Sequence, residues 1–138
     1  MPIVEYRLIE GQHSSDEISS LLRASCVLFA EVLDTPVERI RAFADEVSPT
    51  HAAIGGELVN ASGATAPFFH VYLLAGRPKE HRHRLLAGFT DLLVKHLHVD
   101  RSTVRGCVIQ VDPEDWAIAG VPAAKVRRAE VAARAAQG

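Results

Sequence analysis

The chain of 138 residues contains one strand–helix–strand pattern twice. When residues 40–56 are aligned without a gap to residues 104–120, six of the seventeen positions are identical. The preceding segments keep the same offset, so that Leu21 aligns with Leu85. Two copies of one sequence pattern adopt the same local structure. The repeat therefore restricts the chain to folds that can be built from two equivalent halves.

The first copy has clear boundaries. The segment from Pro2 to Ile9 is rich in aliphatic residues and precedes a glycine, which predicts a strand. Two serines, Ser14 and Ser15, followed by two acidic residues are typical of the start of a helix. Apolar residues then recur at helical spacing to about Leu33. The segment from Arg39 to Val47 predicts the second strand.

The second copy repeats this order, with strands predicted at Phe68–Ala75 and Val104–Val111 and a helix between them. Right-handed crossovers place both helices on one face of a four-stranded sheet, which predicts an α+β fold. We expect a single domain over residues 1–138, with repeats at about 1–56 and 67–120, a linker at 57–66 and a helical tail at 121–138. The composition of the tail favours helix, but an isolated helix of that length is marginal, so we expect it to dock on a partner surface.

The other face of the sheet also needs cover. We expect Phe68, Val71, Leu73, Val108 and Val111 to make it too apolar to face water, which predicts self-association.

Composition excludes several classes of protein. The net charge is −2, which gives no basic surface for nucleic acid. No apolar run approaches the roughly 20 residues that span a bilayer, and charged residues interrupt the start of the chain as they would not in a secretory signal. Cys26 and Cys107 fall in segments predicted to be buried and are interpreted as reduced core residues, which favours the cytoplasm.

Pro2 is a candidate catalytic residue. Initiator methionine is removed when the next residue is small, and a chain that starts at Pro2 has a secondary amine at its end. The pKa of a free α-amino group is roughly 7.7–8.0, and nearby cations or burial lower it. An amine with such a pKa is an efficient general base at neutral pH.

Histidine pairs offer a weaker alternative. His81 with His83, and His96 with His98, have the H-x-H spacing of some metal sites. On a helix, residues i and i+2 point to different faces, so neither pair predicts a chelate. We expect no metal and no cofactor.

Short motifs along nearly the whole chain resemble the tautomerase superfamily, typified by 4-oxalocrotonate tautomerase. They are MPIVEYRLIEG at the start, IGGEL at 54–58 and AAKVRR at 123–128. The chain is similar to a fused, double-length member, and among these to malonate semialdehyde decarboxylase, through LIEG at 8–11, Arg77-Pro78 and Asp115-Trp116. The resemblance implies the fold of this superfamily and, because three double-length chains would equal six single units, a homotrimer.

The resemblance also implies site residues. Pro2 matches the catalytic proline, Arg77 an arginine that binds the substrate carboxylate, and Trp116 an aromatic wall of the pocket. Arg41 and Arg105 both match an arginine early in the second strand, which leaves open which of them serves the Pro2 pocket. The first repeat has Gln12 where the second has Arg77, and Ala52 where the second has Trp116.

Three functions follow from the resemblance. The first is a cofactor-independent tautomerase, an isomerase that uses Pro2 as general base on a small keto or enol carboxylic acid. The second is a decarboxylase of a β-keto acid or semialdehyde, which requires a carboxylate where either Glu38 or Arg39 lies. The third is a non-catalytic oligomeric binding protein, if Met1 is retained. In another branch of the superfamily, the cis-3-chloroacrylic acid dehalogenases, a glutamate activates water. Ile118 occupies the matching position here, which argues against hydration chemistry.

Overall fold

The computed structural model describes residues 2–137, and it confirms the predicted α+β class. A four-stranded mixed sheet carries two long helices on one face. In chain order the elements are β1 (Ile3–Ile9), α1 (Ser15–Leu33), β2 (Arg41–Val47), β3 (Ala53–Ile54), β4 (Glu57–Leu58), α2 (Val59–Ser62), β5 (Phe68–Leu74), α3 (Lys79–Leu97), β6 (Arg105–Val111), β7 (Ala117–Ile118), β8 (Val121–Pro122), α4 (Ala123–Val126) and α5 (Arg128–Gln137).

The sheet order is β2-β1-β5-β6, with parallel pairs within each repeat and an antiparallel pair between them. Arg41 pairs with Ile3, and Arg105 pairs with Phe68. Because β1 and β5 are antiparallel, Phe68 lies beside Arg7, at the end of the sheet opposite Ile3. The two equivalent arginines are therefore at opposite ends of the sheet.

The repeat extends to individual backbone hydrogen bonds. The amide of Arg41 donates to the carbonyl of Pro2 at 3.1 Å, and the amide of Arg105 donates to the carbonyl of Pro67 at 3.1 Å. The two prolines thus have the same backbone environment at the first position of each unit.

Aromatic rings fill the core between the sheet and the helices. Phe69 and Phe89 pack with their ring centroids 5.8 Å apart, and Tyr6 contacts both. The hydroxyl of Tyr6 lies 2.6 Å from Oγ of Ser25, which itself donates to the carbonyl of Leu21 at 2.7 Å. Both buried hydroxyls are therefore satisfied, and burial raises the pKa of Tyr6.

The prediction of which residues lie on the uncovered face of the sheet was largely wrong. Val71 and Leu73 are buried on the helix face, and Val108 packs against the same core. Side chains alternate along a strand, and only the packing of the helices decides which set is covered. Phe68 belongs to the uncovered set, and Val111 is half-buried at the end of β6.

The uncovered face mixes apolar and polar side chains. Phe43 is 50% exposed and Ile109 is 36% exposed. The strand register places Glu5, His70 and Cys107 in one row across the sheet with Phe43. Cys26 is half-buried and packs against the core, as expected, whereas Cys107 is half-buried on the uncovered face, so the expectation of a core position was wrong for Cys107.

The segment after each second strand forms a small hairpin. In the first repeat β4 pairs with β3, and α2 follows, so the predicted linker at 57–66 contains regular structure. In the second repeat β7 and β8 pair in the same way and lead into the tail.

The tail is helical, but it is divided at Arg127, whose φ of −118° and ψ of 37° interrupt the helix. α5 contacts its own chain, since Glu130 forms an ion pair with Arg39 at 3.0 Å. Docking of the tail on a partner surface stays a prediction. Within residues 2–137, no helix is both long and apolar enough to cross a membrane.

Candidate active site

Two adjoining cavities lie at the end of the sheet where β1 begins. The larger, which we call the outer cavity, has a volume of about 380 Å³. The smaller, the Pro2 cavity, has a volume of about 20 Å³. Arg39 and Arg127 line both. The outer cavity is also lined by Ile3, Glu38, Arg41, Trp116, Ala117, Ile118 and Ala119, and the Pro2 cavity by Pro2, Leu33, Thr35, Leu73, Leu74, Arg77 and Arg134.

Pro2 is buried, and its position is fixed by the sheet. Its carbonyl is held by Arg41 at the first pairing of β1 with β2. A volume of about 20 Å³ admits roughly one water molecule. A substrate of several carbon atoms therefore also needs the adjoining outer cavity, whose wall begins at Ile3, the residue next to Pro2.

Arg77 follows a tight turn at the end of β5. Gly76 has a φ of +112°, a conformation that favours glycine, and this turn directs the chain from the strand into α3. One guanidinium nitrogen of Arg77 donates to the carbonyl of Leu33 at 2.8 Å, at the carboxyl end of α1. Burial, and secondarily the charge of Arg134, lower the pKa of Arg77 to about 10.

Glu38 and Arg39, the two alternatives of the sequence analysis, both line the outer cavity. They lie in a 3-10 turn at Val37–Arg39, just before β2. Nη1 of Arg39 donates to both carboxylate oxygens of Glu130, at 3.0 and 3.1 Å. The cavity therefore has a carboxylate from Glu38 beside the guanidinium of Arg39.

Arg41 and Arg105 differ in what surrounds them. Arg41 lines the outer cavity with Trp116. The guanidinium of Arg105 donates to the carbonyls of Ser102 and Val104, at 2.8 and 3.0 Å, at the far end of the sheet. Within one chain, the structure thus brings the other predicted residues around the two cavities and leaves Arg105 away from them.

Three tail residues with no role predicted from the sequence border this site. Arg127 lines both cavities, Arg134 lines the Pro2 cavity, and Glu130 holds Arg39. A signal was present, because charges at spacings of three and four residues share one face of a helix. Burial, and then the charge of Arg39, lower the pKa of Arg127. Burial acts to raise the pKa of Glu130, but the hydrogen bond and charge of Arg39 outweigh it, so that this pKa is lowered.

The first repeat has a reduced counterpart of the Pro2 cavity around Pro67, of about 10 Å³. Gln12 takes the place of Arg77 there. Its amide nitrogen donates to the carbonyl of Ala64 at 2.9 Å, and its amide oxygen accepts from Thr65 at 3.2 Å. The linker thus binds the side chain of Gln12. The cavity at Pro67 has an uncharged amide where the Pro2 cavity has the guanidinium group of Arg77.

An arginine-lined cavity attracts anions, and guanidinium groups bind carboxylates with two parallel hydrogen bonds. The described residues contain no group of three or more His, Cys, Asp or Glu side chains that could hold a metal ion. What the arrangement can do is bind a small carboxylate next to Pro2.

Comparison with known proteins defines the class of this fold and site. The family model described as "Tautomerase enzyme" matches residues 67–125. A 2-hydroxymuconate tautomerase of Pseudomonas sp. (strain CF600) is 37% identical over 57 residues, which are 41% of this chain and 89% of that protein. The corresponding enzyme of Comamonas testosteroni is 34% identical over 62 residues, 45% of this chain and 98% of that protein. The chain belongs to the tautomerase family.

Solved structures extend the likeness to both repeats. A native fused 4-OT superimposes with a TM-score of 0.85 at 22% identity, over 91% of this chain and 99% of that one. A fused 4-OT described as an asymmetric trimer gives 0.82 at 22% identity, over 90% and 98%. Pt0534, a protein described as inactivated by 2-oxo-3-pentynoate, gives 0.82 at 21% identity, over 90% and 98%. The chain is therefore a double-length member of the family by its fold.

Proposed function

We propose that this protein is a cofactor-independent tautomerase, an isomerase that moves a proton within a small keto or enol carboxylic acid. The observation that carries the proposal is the position of Pro2 in a cavity bordered by Arg39, Arg77, Arg127 and Arg134. The relatives named 2-hydroxymuconate tautomerase support the same class of reaction.

Pro2 is the general base in this proposal. Met1 must be removed, because an acylated proline nitrogen has no lone pair available for a proton. The surrounding guanidinium groups favour the neutral, proton-accepting form of the amine. With 2-hydroxymuconate, the amine takes the proton of the 2-hydroxyl group and returns a proton to a carbon of the same molecule, so that an O–H bond is exchanged for a C–H bond.

The arginines stabilise the charge that develops during this transfer. Arg77 binds the carboxylate, and Arg41 or Arg39 stabilises the negative oxygen of the dienolate as the hydroxyl proton leaves. Trp116 forms the apolar wall against which the carbon chain lies. A positioned base contributes about 10²–10⁴-fold to the rate.

The test is turnover of 2-hydroxymuconate and phenylenolpyruvate by the purified protein and by Pro2→Ala. We expect the wild type to convert at least one of them and Pro2→Ala to lose about a hundredfold or more in kcat. Undiminished activity in Pro2→Ala would refute the role of the proline. Retention of Met1 in the wild-type mass would favour a non-catalytic binding protein instead.

Decarboxylation of a β-keto acid or semialdehyde is a second candidate, favoured by the carboxylate of Glu38 in the outer cavity. Malonate semialdehyde is its test substrate. Release of CO₂ that depends on both Pro2 and Glu38, measured with Glu38→Gln, would favour this reaction over tautomerisation.

We also propose that the chain works as a homotrimer. The uncovered sheet face, with the exposed Phe43 and Ile109, needs a partner, and three chains provide it without a further protein. The fused 4-OT described as a trimer supports this assembly.

A further inference from the structure

The C-terminal helix α5 carries one half-buried polar stripe. Glu130 and Arg134 are half-buried, whereas Arg128, Ala129, Ala132 and Ala133 on the remaining surface are exposed. Glu130 and Arg134 face the same region of the chain as Arg127, which lies in the break before the helix. Arg127 and Arg134 thus line the Pro2 cavity, and Glu130 holds Arg39 beside it.

Arg134 approaches the turn that carries Arg77. A Cβ atom placed on Gly76 would lie 3.6 Å from Cβ of Arg134, so the helix packs directly against this turn. Arg134 and Arg77 line the Pro2 cavity together, and they also line a groove of about 330 Å³ on its outer side. The charge of Arg134 helps to lower the pKa of Arg77, which means that the two guanidinium groups repel each other, and an anion between them relieves the repulsion.

Glu130 lines the groove of about 330 Å³ and neither of the two cavities. It therefore contacts Arg39 from the side of the groove. Its carboxylate receives Nη1 of Arg39 at 3.0 and 3.1 Å. This contact fixes the side chain of an arginine that lines both cavities, while the carboxylate itself stays out of the space that a ligand would fill.

The charges around the cavity are unbalanced. Arg39, Arg77, Arg127 and Arg134 border it, and the carboxylates that act on Arg77 are Glu130 and Asp34. Positive charge thus remains in excess at the point where the tail meets the core.

We infer that the C-terminal helix is part of the site: Arg134 binds the substrate carboxylate together with Arg77, and Glu130 is a positioning residue that holds Arg39 at the cavity wall. The inference rests on the proposed function for the identity of the ligand as a small carboxylate. It assigns substrate recognition to a segment that lies outside both repeats.

The test compares Arg134→Ala with Arg128→Ala, which removes the same charge from an exposed position of the same helix. We expect Arg134→Ala to raise KM for 2-hydroxymuconate about tenfold to hundredfold, the effect of losing one charged hydrogen bond, with a smaller change in kcat. Arg134→Lys should recover part of this loss, and Arg128→Ala should match the wild type. Equal KM values for Arg134→Ala and Arg128→Ala would overturn the role of Arg134.

Glu130→Gln and Glu130→Asp test the positioning residue. Glu130→Gln should raise KM and Glu130→Asp should restore part of it, whereas Asp91→Asn, which breaks the exposed ion pair with Arg101, should leave KM unchanged. A KM unchanged in Glu130→Gln would contradict the positioning role.

A binding measurement separates failure of this inference from failure of the proposed reaction. Trp116, the single tryptophan, lines the outer cavity, so its fluorescence can follow titration with fumarate without turnover. Weaker fumarate binding in Arg134→Ala supports the inference even if no substrate is converted. A wild-type protein that binds no fumarate, or equal binding by Arg134→Ala and Arg128→Ala, would overturn it.

Discussion

At the scale of single residues, equivalent positions of the two repeats have diverged in chemistry while keeping the same backbone. The backbone environments of Pro2 and Pro67 are the same, yet one borders Arg77 and the other Gln12. The sequence predicted this asymmetry because an alignment of the two copies exposes each substitution. It left the choice between Arg41 and Arg105 open, because that choice depends on the antiparallel register of β1 and β5.

Substitution of these two arginines tests the assignment within the chain. We expect Arg41→Ala to reduce kcat/KM by about tenfold or more, since it removes a charge from the outer cavity, and Arg105→Ala to have a smaller effect. Steady-state kinetics of both variants, with melting temperatures as a control for folding, provide the measurement. A larger loss in Arg105→Ala would mean that the site is completed by Arg105 of a neighbouring copy.

Gly106 tests the packing of β6 on the core. A Cβ atom at this position would overlap the ring carbons of Phe69, which is 1% exposed and packed against other rings. We expect Gly106→Ala to lower the free energy of unfolding by about 2–3 kcal/mol or to prevent folding. Gly88→Ala is the matched control, because the three atoms nearest to its Cβ would be side-chain atoms of Leu28, at 2.7 Å or more, and alanine favours helix by about 1 kcal/mol. Comparable melting curves for the two variants would contradict this account of the core.

At the scale of elements, periodicity located the long strands and helices but not the short ones. The strands β3 and β4 have two residues each, too few for an alternating pattern to be recognised. The interruption at Arg127 was also missed, since composition alone favours helix throughout the tail. The contact of Glu130 with Arg39 joins residues 91 positions apart, and nothing in the local sequence indicates it.

Docking of α5 should depend on pH in the acid range. The pKa of Glu130 is lowered in the folded chain, so its contribution to docking is present above the unfolded pKa of roughly 4.3 and is lost as the pH falls through the folded value. We expect the amides of residues 128–137 of the wild type to lose protection against hydrogen exchange below about pH 4, once the rates are corrected for the intrinsic pH dependence of amide exchange. In Glu130→Gln these amides should be less protected at neutral pH already, and their protection should change less on acidification. Parallel pH profiles for wild type and Glu130→Gln would show that the ion pair does not hold the helix.

At the scale of the whole molecule, the helices cover one face of the sheet and leave the other uncovered. The sequence predicted that a face would need cover, but it named several residues that the helices themselves cover. The pattern of alternation fixes which residues share a face, whereas the packing of α1 and α3 decides which face is buried.

The proposed trimer predicts a defined effect of a charge at Phe43. We expect the wild type to sediment as a trimer and Phe43→Asp to sediment as a smaller species with unchanged far-ultraviolet circular dichroism, because Phe43 is exposed on the single chain. A wild-type monomer at micromolar concentration would contradict the proposed assembly.

The central claim is that the nitrogen of Pro2 is a free, neutral amine inside an arginine-lined site. Treatment with 2-oxo-3-pentynoate, followed by peptide mapping by mass spectrometry, tests this most directly, since the conjugated alkyne forms a carbon–nitrogen bond with an uncharged amine. The account predicts that Met1 is absent, that a single adduct lies on the peptide that begins with Pro2, and that activity is lost in proportion to labelling. A chain that retains Met1, or that loses no activity and carries no adduct on Pro2, would contradict it.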